Sequence, residues 1–125
     1  VADALDFDSK TPIYMQIDRD IRKRILAGEL AAGDQLMSTT QYATTYRINP
    51  ATANKAFNQL AADGIIYKQR GIGMFVTDDA AAILRGEGRE SYESDRLAPV
   101  IREGLALGYT SQQIRQLVND ILEEQ

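Results

Sequence analysis

The chain has 125 residues, a formal net charge of −4, and neither cysteine nor histidine. Disulfide scaffolds, Cys/His zinc sites and Ser-His or Cys-His nucleophilic catalysis are thereby excluded. The length suits one domain or a small domain with an appendage. No apolar run is long enough to span a bilayer and no charged-then-apolar start reads as a signal peptide, so the expectation is a cytoplasmic protein without membrane contact.

The charge is unevenly spread. Residues 1 to 11 carry one Lys and three Asp. Residues 12 to 77 carry eight Lys or Arg against five Asp or Glu, and residues 78 to 125 carry five Arg against ten acidic residues. A basic module stands between acidic ones, and local sign decides which face meets phosphate.

Thr11-Pro12 reads as a helix start, a hydroxyl at the N-cap followed by Pro at the first helical position. Ile13, Ile17, Ile21 and Ile25 then form a helical apolar stripe, and Gly28 stops the helix. The opposite face carries Arg19, Arg22, Lys23 and Arg24. It reads either as a solvated face or as a flanking phosphate contact. Leu30 to Leu36 is a connector with a turn at Gly33-Asp34.

Ser38, with Gln41 three residues on, forms a capping box that opens a second helix. Tyr42, Ala43 and Tyr46 make its inward face, and Arg47-Ile48 makes the turn. Asn49-Pro50 opens a third helix by the same cap logic. Ala53, Ala56, Phe57 and Leu60 face the core at i, i+3, i+4 and i+7, leaving Ala51, Thr52, Asn54, Lys55 and Asn58 outward.

Asp63-Gly64 ends that helix. Ile65 to Gln69 and Met74 to Thr77 read as two strands joined by Arg70-Gly71-Ile72-Gly73. Helix, helix, turn, helix and hairpin in this order make a winged helix-turn-helix. As a nucleotide-binding glycine loop, Arg-Gly-Ile-Gly lacks the third glycine and the strand-to-helix setting.

The residues from about Pro12 to Val76 resemble the N-terminal domain of the GntR family of bacterial transcription regulators. The resemblance rests on Pro12-Ile13-Tyr14-Met15-Gln16-Ile17, Leu26-Ala27-Gly28-Glu29-Leu30, Gly33-Asp34-Gln35-Leu36, Asn49-Pro50-Ala51-Thr52, and Asp63-Gly64-Ile65-Ile66 leading into Arg70-Gly71. Two positions depart from the family pattern. Met37 replaces a proline, and Thr40 replaces an arginine that in the family touches the DNA backbone. A threonine hydroxyl still bonds phosphate, but the long-range attraction is lost. Arg70 and Gly71 match positions that contact DNA in the family.

Ala80 to Leu84 extends from the wing as a helical linker, and Arg85 to Ser91, with Gly86 and Gly88, reads as a hinge or a weakened helix. A helical stripe follows at Leu97, Val100, Ile101 and Leu105, with Pro99 placed to disturb it. Thr110 and Gln113 form another capping box, and Ile114, Leu117, Val118, Ile121 and Leu122 give a wide apolar face. Two such helices cannot fully bury these faces on each other, which points to a second copy of the chain, the alternative being that they pack back onto the chain's own first domain. The short two-helix tail is similar to the YtrA-type subfamily, a resemblance that implies a homodimeric regulator, often a repressor.

The expected fold is therefore mainly α with a small β-hairpin. Residues 11–78 form a winged helix-turn-helix DNA-binding domain, with the helix-turn-helix at about 38–60 and the wing at about 65–77. Residues 79–125 form a short α-helical dimerisation domain. The expected function is sequence-specific binding of double-stranded DNA at a palindromic operator by a homodimeric regulator acting as a repressor. Asn49, Ala51, Thr52, Asn54 and Lys55 approach bases or nearby phosphate. Ser38, Thr39 and Thr40 hold backbone, and Arg70, Gly71 and Ile72 form the wing contact. The dimer residues are Leu97, Val100, Ile101, Leu105, Ile114, Leu117, Val118, Ile121 and Leu122. The rival is a winged-helix protein-interaction module that modulates another regulator without touching DNA. No enzymatic activity, metal or cofactor is expected. A small-molecule effector, unidentified from sequence, would act only by preferring one spacing of the two reading helices over another.

Overall fold

Ile17, Ile21 and Ile25 recur every four residues along α1 (Ile13–Leu26) and are all buried, so the helix presents one apolar stripe to the interior. The computed structural model describes residues 7–125. The acidic count over residues 1 to 11 therefore lies partly outside the described residues. The helix starts one residue later than Thr11-Pro12 implies: its N-cap is Pro12, with φ −52° and ψ 137° and no side-chain cap. The Thr11 backbone is anchored in the preceding turn. Its N–H and that of Lys10 donate to Asp8 Oδ1 at 3.1 and 2.9 Å, and its carbonyl accepts from Gln16 Nε2 at 2.7 Å. At the other end Gly28 takes φ +83°, the left-handed stop expected of it.

Both capping signals that follow are realised. Ser38 Oγ accepts from the Gln41 N–H and the Gln41 side chain accepts from the Ser38 N–H, opening α2 (Thr39–Tyr46). Asn49 Oδ1 accepts from the Ala51 N–H at 2.8 Å, with Pro50 as the first residue of α3 (Pro50–Ala62). Between them Arg47 adopts φ 55° and ψ 49° and its N–H returns to the Ala43 carbonyl. A left-handed residue at this point lets the chain reverse within three residues.

β1 (Ile66–Gln69) and β2 (Gly73–Val76) pair antiparallel, Ile66 against Val76 and Gln69 against Gly73. The connector before α2 adds a third, one-residue rung: Gln35 bridges Phe75, with Leu36 N–H donating to the Met74 carbonyl at 2.8 Å. This part of the chain reads as a plain connector in sequence because one rung shows no period-2 alternation.

Ile17, Ile21, Ile25, Phe57, Leu60, Ile65, Ile66 and Val76 form one core, joined by Ala80 and Leu84 of α4 (Ala80–Ser91). Phe57 meets the Tyr42 ring edge-on at 5.7 Å, and truncating a phenylalanine so placed costs about 3–5 kcal/mol. Arg22 staples α1 to the end of α3. It bonds Asp18 on its own helix at 3.1 Å and reaches Asp63, the α3 C-cap. Partial burial pulls its guanidinium pKa down, but hydrogen bonds and charge from Asp63 and Asp18 outweigh that, and the net shift is upward.

The chain divides into two units, one ending at Arg85 and one running Gly86–Gln125. In the second unit a π-helical turn (Tyr92–Leu97) leads into α5 (Ala98–Ala106) and then α6 (Ser111–Glu123). Gly86 and Gly88 are helical within α4, so the weakened-helix reading of this stretch describes its conformation. The disturbance expected at Pro99 takes the form of the π turn. Ala98 N–H donates five residues back to Glu93, widening the helix just before a residue that has no N–H and would crowd a carbonyl of an unbroken helix. Thr110 and Gln113 form the capping box of α6 as read. Among the described residues no helix is long and apolar enough to cross a membrane.

Candidate nucleic-acid interface

α3 is two-faced. Ala53, Ala56, Phe57 and Leu60 are buried, whereas Ala51, Asn54, Lys55 and Asn58 are exposed and Thr52 is half-buried. The exposed set is short and polar, with one cation, so a backbone or base edge can approach the helix closely. Asn49 spends its side-chain oxygen on the cap, which leaves its amide N–H₂ as the group available outward. Lys55 is held: its Nζ lies 4.0 Å above the centroid of the Tyr14 ring.

Ser38 and Thr40 are exposed and Thr39 is half-buried at the start of α2. Ser38 is committed to its capping box, and the Thr40 carbonyl takes the Thr44 hydroxyl at 3.0 Å. The exposed Thr40 hydroxyl gives this helix start a short-range donor without a charge.

The wing tip Arg70-Gly71-Ile72 is exposed, with Ile72 57% accessible. Gly71 takes φ +78°, and the Ile72 N–H closes the turn on the Gln69 carbonyl at 2.9 Å. Gln35 Nε2 donates to the Ile72 carbonyl at 3.0 Å and ties the tip to the connector. Lys68, on β1, adds a second exposed cation to the wing, and Arg47 adds one at the turn between α2 and α3. Sequence reasoning left Gln35, Lys68, Arg47 and Tyr14 out of the site. A lysine one position from the end of a strand that leads to a glycine tip was the available signal for Lys68.

The basic face of α1 separates into two roles. Arg22 and Arg24 are engaged in ion pairs, Arg24 with Asp20 at 2.8 Å and Glu29 at 3.1 Å. Arg19 and Lys23 are exposed. The ion pairs hold Arg22 and Arg24 against the protein, while Arg19 and Lys23 extend into solvent.

A sequence profile of the bacterial regulatory proteins of the gntR family matches residues 13–76, just over half of the chain. The chain belongs to the GntR family. The chain is 31% identical over 117 residues to the HTH-type transcriptional repressor YtrA of Bacillus subtilis, covering 94% of this chain and 89% of that one. Its fold matches a transcriptional regulator from Oenococcus oeni with TM-score 0.78 at 32% identity, over 95% of this chain and 98% of that one. It also matches YtrA from Sulfolobus acidocaldarius, a GntR-family transcription factor, with TM-score 0.54 at 30% identity, over 98% and 97% of the two chains. This GntR-family chain is a winged-helix DNA-binding transcription regulator of the YtrA type, and its relatives are regulators, not enzymes.

In the second unit, Leu97, Val100, Leu105, Leu117, Val118, Ile121 and Leu122 of this GntR-family chain are exposed in the single chain, between 40% and 66% accessible. Ile101 and Ile114 are half-buried. A Cβ on Gly104 would stand 3.2 Å from Ile114 Cδ1, so α5 and α6 approach closely there and Ile114 is partly spent within the chain. Ile101, Leu105, Ile114, Val118 and Leu122 line a groove of 390 Å³ between the two helices.

Proposed function

We propose that this chain is a cytoplasmic homodimeric repressor that recognises a palindromic operator. Residues 11–78 hold DNA and residues 79–125 hold the partner. α3 enters the major groove, where Asn54 reads a base edge and Asn49, Ala51, Thr52 and Lys55 serve bases or nearby phosphate. Ser38, Thr39 and Thr40 grip the backbone at the α2 start, and Arg70, Gly71 and Ile72 grip it from the wing.

The observation that carries this reading is the exposed face of α3, where Asn54, Lys55 and Asn58 stand beside the small Ala51. Pairing is supported by the unpartnered apolar residues of α5 and α6. Contiguous apolar surface of this kind marks an interaction site, and two copies of one helix pair cover it with symmetric contacts. Repression is carried over from the name of the Bacillus subtilis relative.

The test is selection of bound duplexes from a random pool at physiological salt. An enriched inverted repeat with half-sites about one helical turn apart is the expected result. Enrichment of a single unrepeated half-site would sink the palindrome and the dimer on DNA. Failure of a folded, dimeric protein to enrich any sequence would sink specific recognition.

A further inference from the structure

Lys55 sits on the exposed face of the reading helix, yet its ammonium is not loose in solvent. It lies 4.0 Å from the centroid of the Tyr14 ring, which the first turn of α1 supplies. Tyr14 is half-buried, so its ring is fixed by packing against the core while one face remains available. A lysine on four rotatable bonds otherwise samples many positions, and ordering it is part of the cost of each phosphate contact. The ring faces only one side of the ammonium, and the donors on the other side stay free to point outward.

We infer that Tyr14 is a positioning residue for DNA binding: its ring pre-sets Lys55 as a backbone-phosphate contact beside the start of α3. The inference rests on the assignment of Lys55 to the DNA interface. It makes Lys55 a phosphate contact and not a base reader. A cation held against the Tyr14 ring is less free to follow a base edge, and phosphate contacts fix register while base contacts fix sequence. It also couples α1, which otherwise serves the core, to the reading surface.

A double-mutant cycle tests this. Tyr14→Leu, Tyr14→Phe, Lys55→Ala and the double variant Tyr14→Leu/Lys55→Ala are titrated against a random-sequence 30-base-pair duplex and against the duplex enriched by selection. The expected result is a loss of roughly three- to tenfold for Tyr14→Leu on both duplexes, with Tyr14→Phe close to the parent because the ring face is kept. In the Lys55→Ala background Tyr14→Leu changes nothing further. Lys55→Ala lowers the slope of log affinity against log salt by about one, whereas Tyr14→Leu lowers affinity with the slope nearly intact.

Equal losses for Tyr14→Leu in both backgrounds would overturn the inference, because a merely structural tyrosine predicts that additivity. Lys55→Ala binding as tightly as the parent would overturn it together with the placement of Lys55 at the interface. Should Tyr14→Leu not fold, Tyr14→Phe and the upfield ring-current shift of the Lys55 ε-methylene protons in the free protein decide the matter. A random-coil ε-methylene shift would overturn the pairing.

Discussion

Gln35 crosses so near to Gly73 that a Cβ on the glycine would stand 2.6 Å from the Gln35 amide nitrogen. Gly73 also takes φ +147°, a conformation that side-chain-bearing residues rarely adopt. The same Gln35 nitrogen donates to the Ile72 carbonyl, so the absence of a side chain at Gly73 lets the connector hold the wing tip. Gly73→Ala is therefore expected to destabilise the protein by about 1–3 kcal/mol through backbone strain and to displace Gln35 from the tip. Chemical denaturation reads the first effect. A weaker, less salt-dependent DNA complex reads the second. A variant as stable as the parent would remove the strain argument.

Asn54→Ala should relax preference at a single base pair of each half-site, costing about 1–3 kcal/mol against the preferred base. Repeating the selection with the variant measures this directly. An unchanged enriched sequence would strike Asn54 from the readers.

Arg70→Ala should act differently. With a cation at a glycine-hinged tip touching phosphate, the loss falls on all duplexes alike and the salt slope drops by about one. Loss confined to particular sequences would mean that the wing reads bases or groove width.

Most of this architecture is legible in the sequence because its punctuation is local. Ser38 with Gln41, Asn49 with Pro50, Thr110 with Gln113 and Gly28 each satisfy orphan backbone groups within a few residues, and each is found where the residues imply. Contacts between distant segments were not legible. The rung at Gln35, the Arg22 bridge to Asp63 and the placement of Lys55 over Tyr14 depend on how the elements pack. Thr11 shows the same limit from the other side. A good cap residue in isolation, it stands one residue before the N-cap with its backbone bonded to Asp8 and Gln16, and the helix opens without a hydroxyl cap. The polar positions of α3 were legible because helical periodicity assigns a face. The state of the lysine on that face was not.

Tyr42 gives the protein an alkaline limit. It is buried, and burial first, then the neighbouring Tyr46 and Asp20, push its hydroxyl pKa upward from the ordinary value of 10.0. The folded state thus holds the proton that the unfolded state releases. Stability from this group is complete below about pH 10 and declines above it by up to about 1.4 kcal/mol per pH unit. Denaturation midpoints at pH 9 and above pH 10 measure the decline, and Tyr42→Phe should flatten it. An equal decline in Tyr42→Phe would place the alkaline transition elsewhere.

The face of α6 sets the last expectation. Leu117, Val118, Ile121 and Leu122 lie at i, i+1, i+4 and i+5, and all four exceed 40% accessibility in the single chain. The exposed part of each side chain contributes nothing to a monomer, and covering it gains on the order of 1 kcal/mol per residue. Ile121→Glu places a charge in the middle of that stripe, where a symmetric interface would meet it twice. The variant should sediment as a monomer while retaining the helical signal and denaturation midpoint of the first unit. It should also bind an isolated half-site like the parent and lose the advantage of the full inverted repeat. A dimer of unchanged affinity would show that the pairing surface lies off this stripe. An equal loss on the half-site and the repeat would mean that the substitution damages DNA reading directly and that pairing contributes nothing to operator affinity.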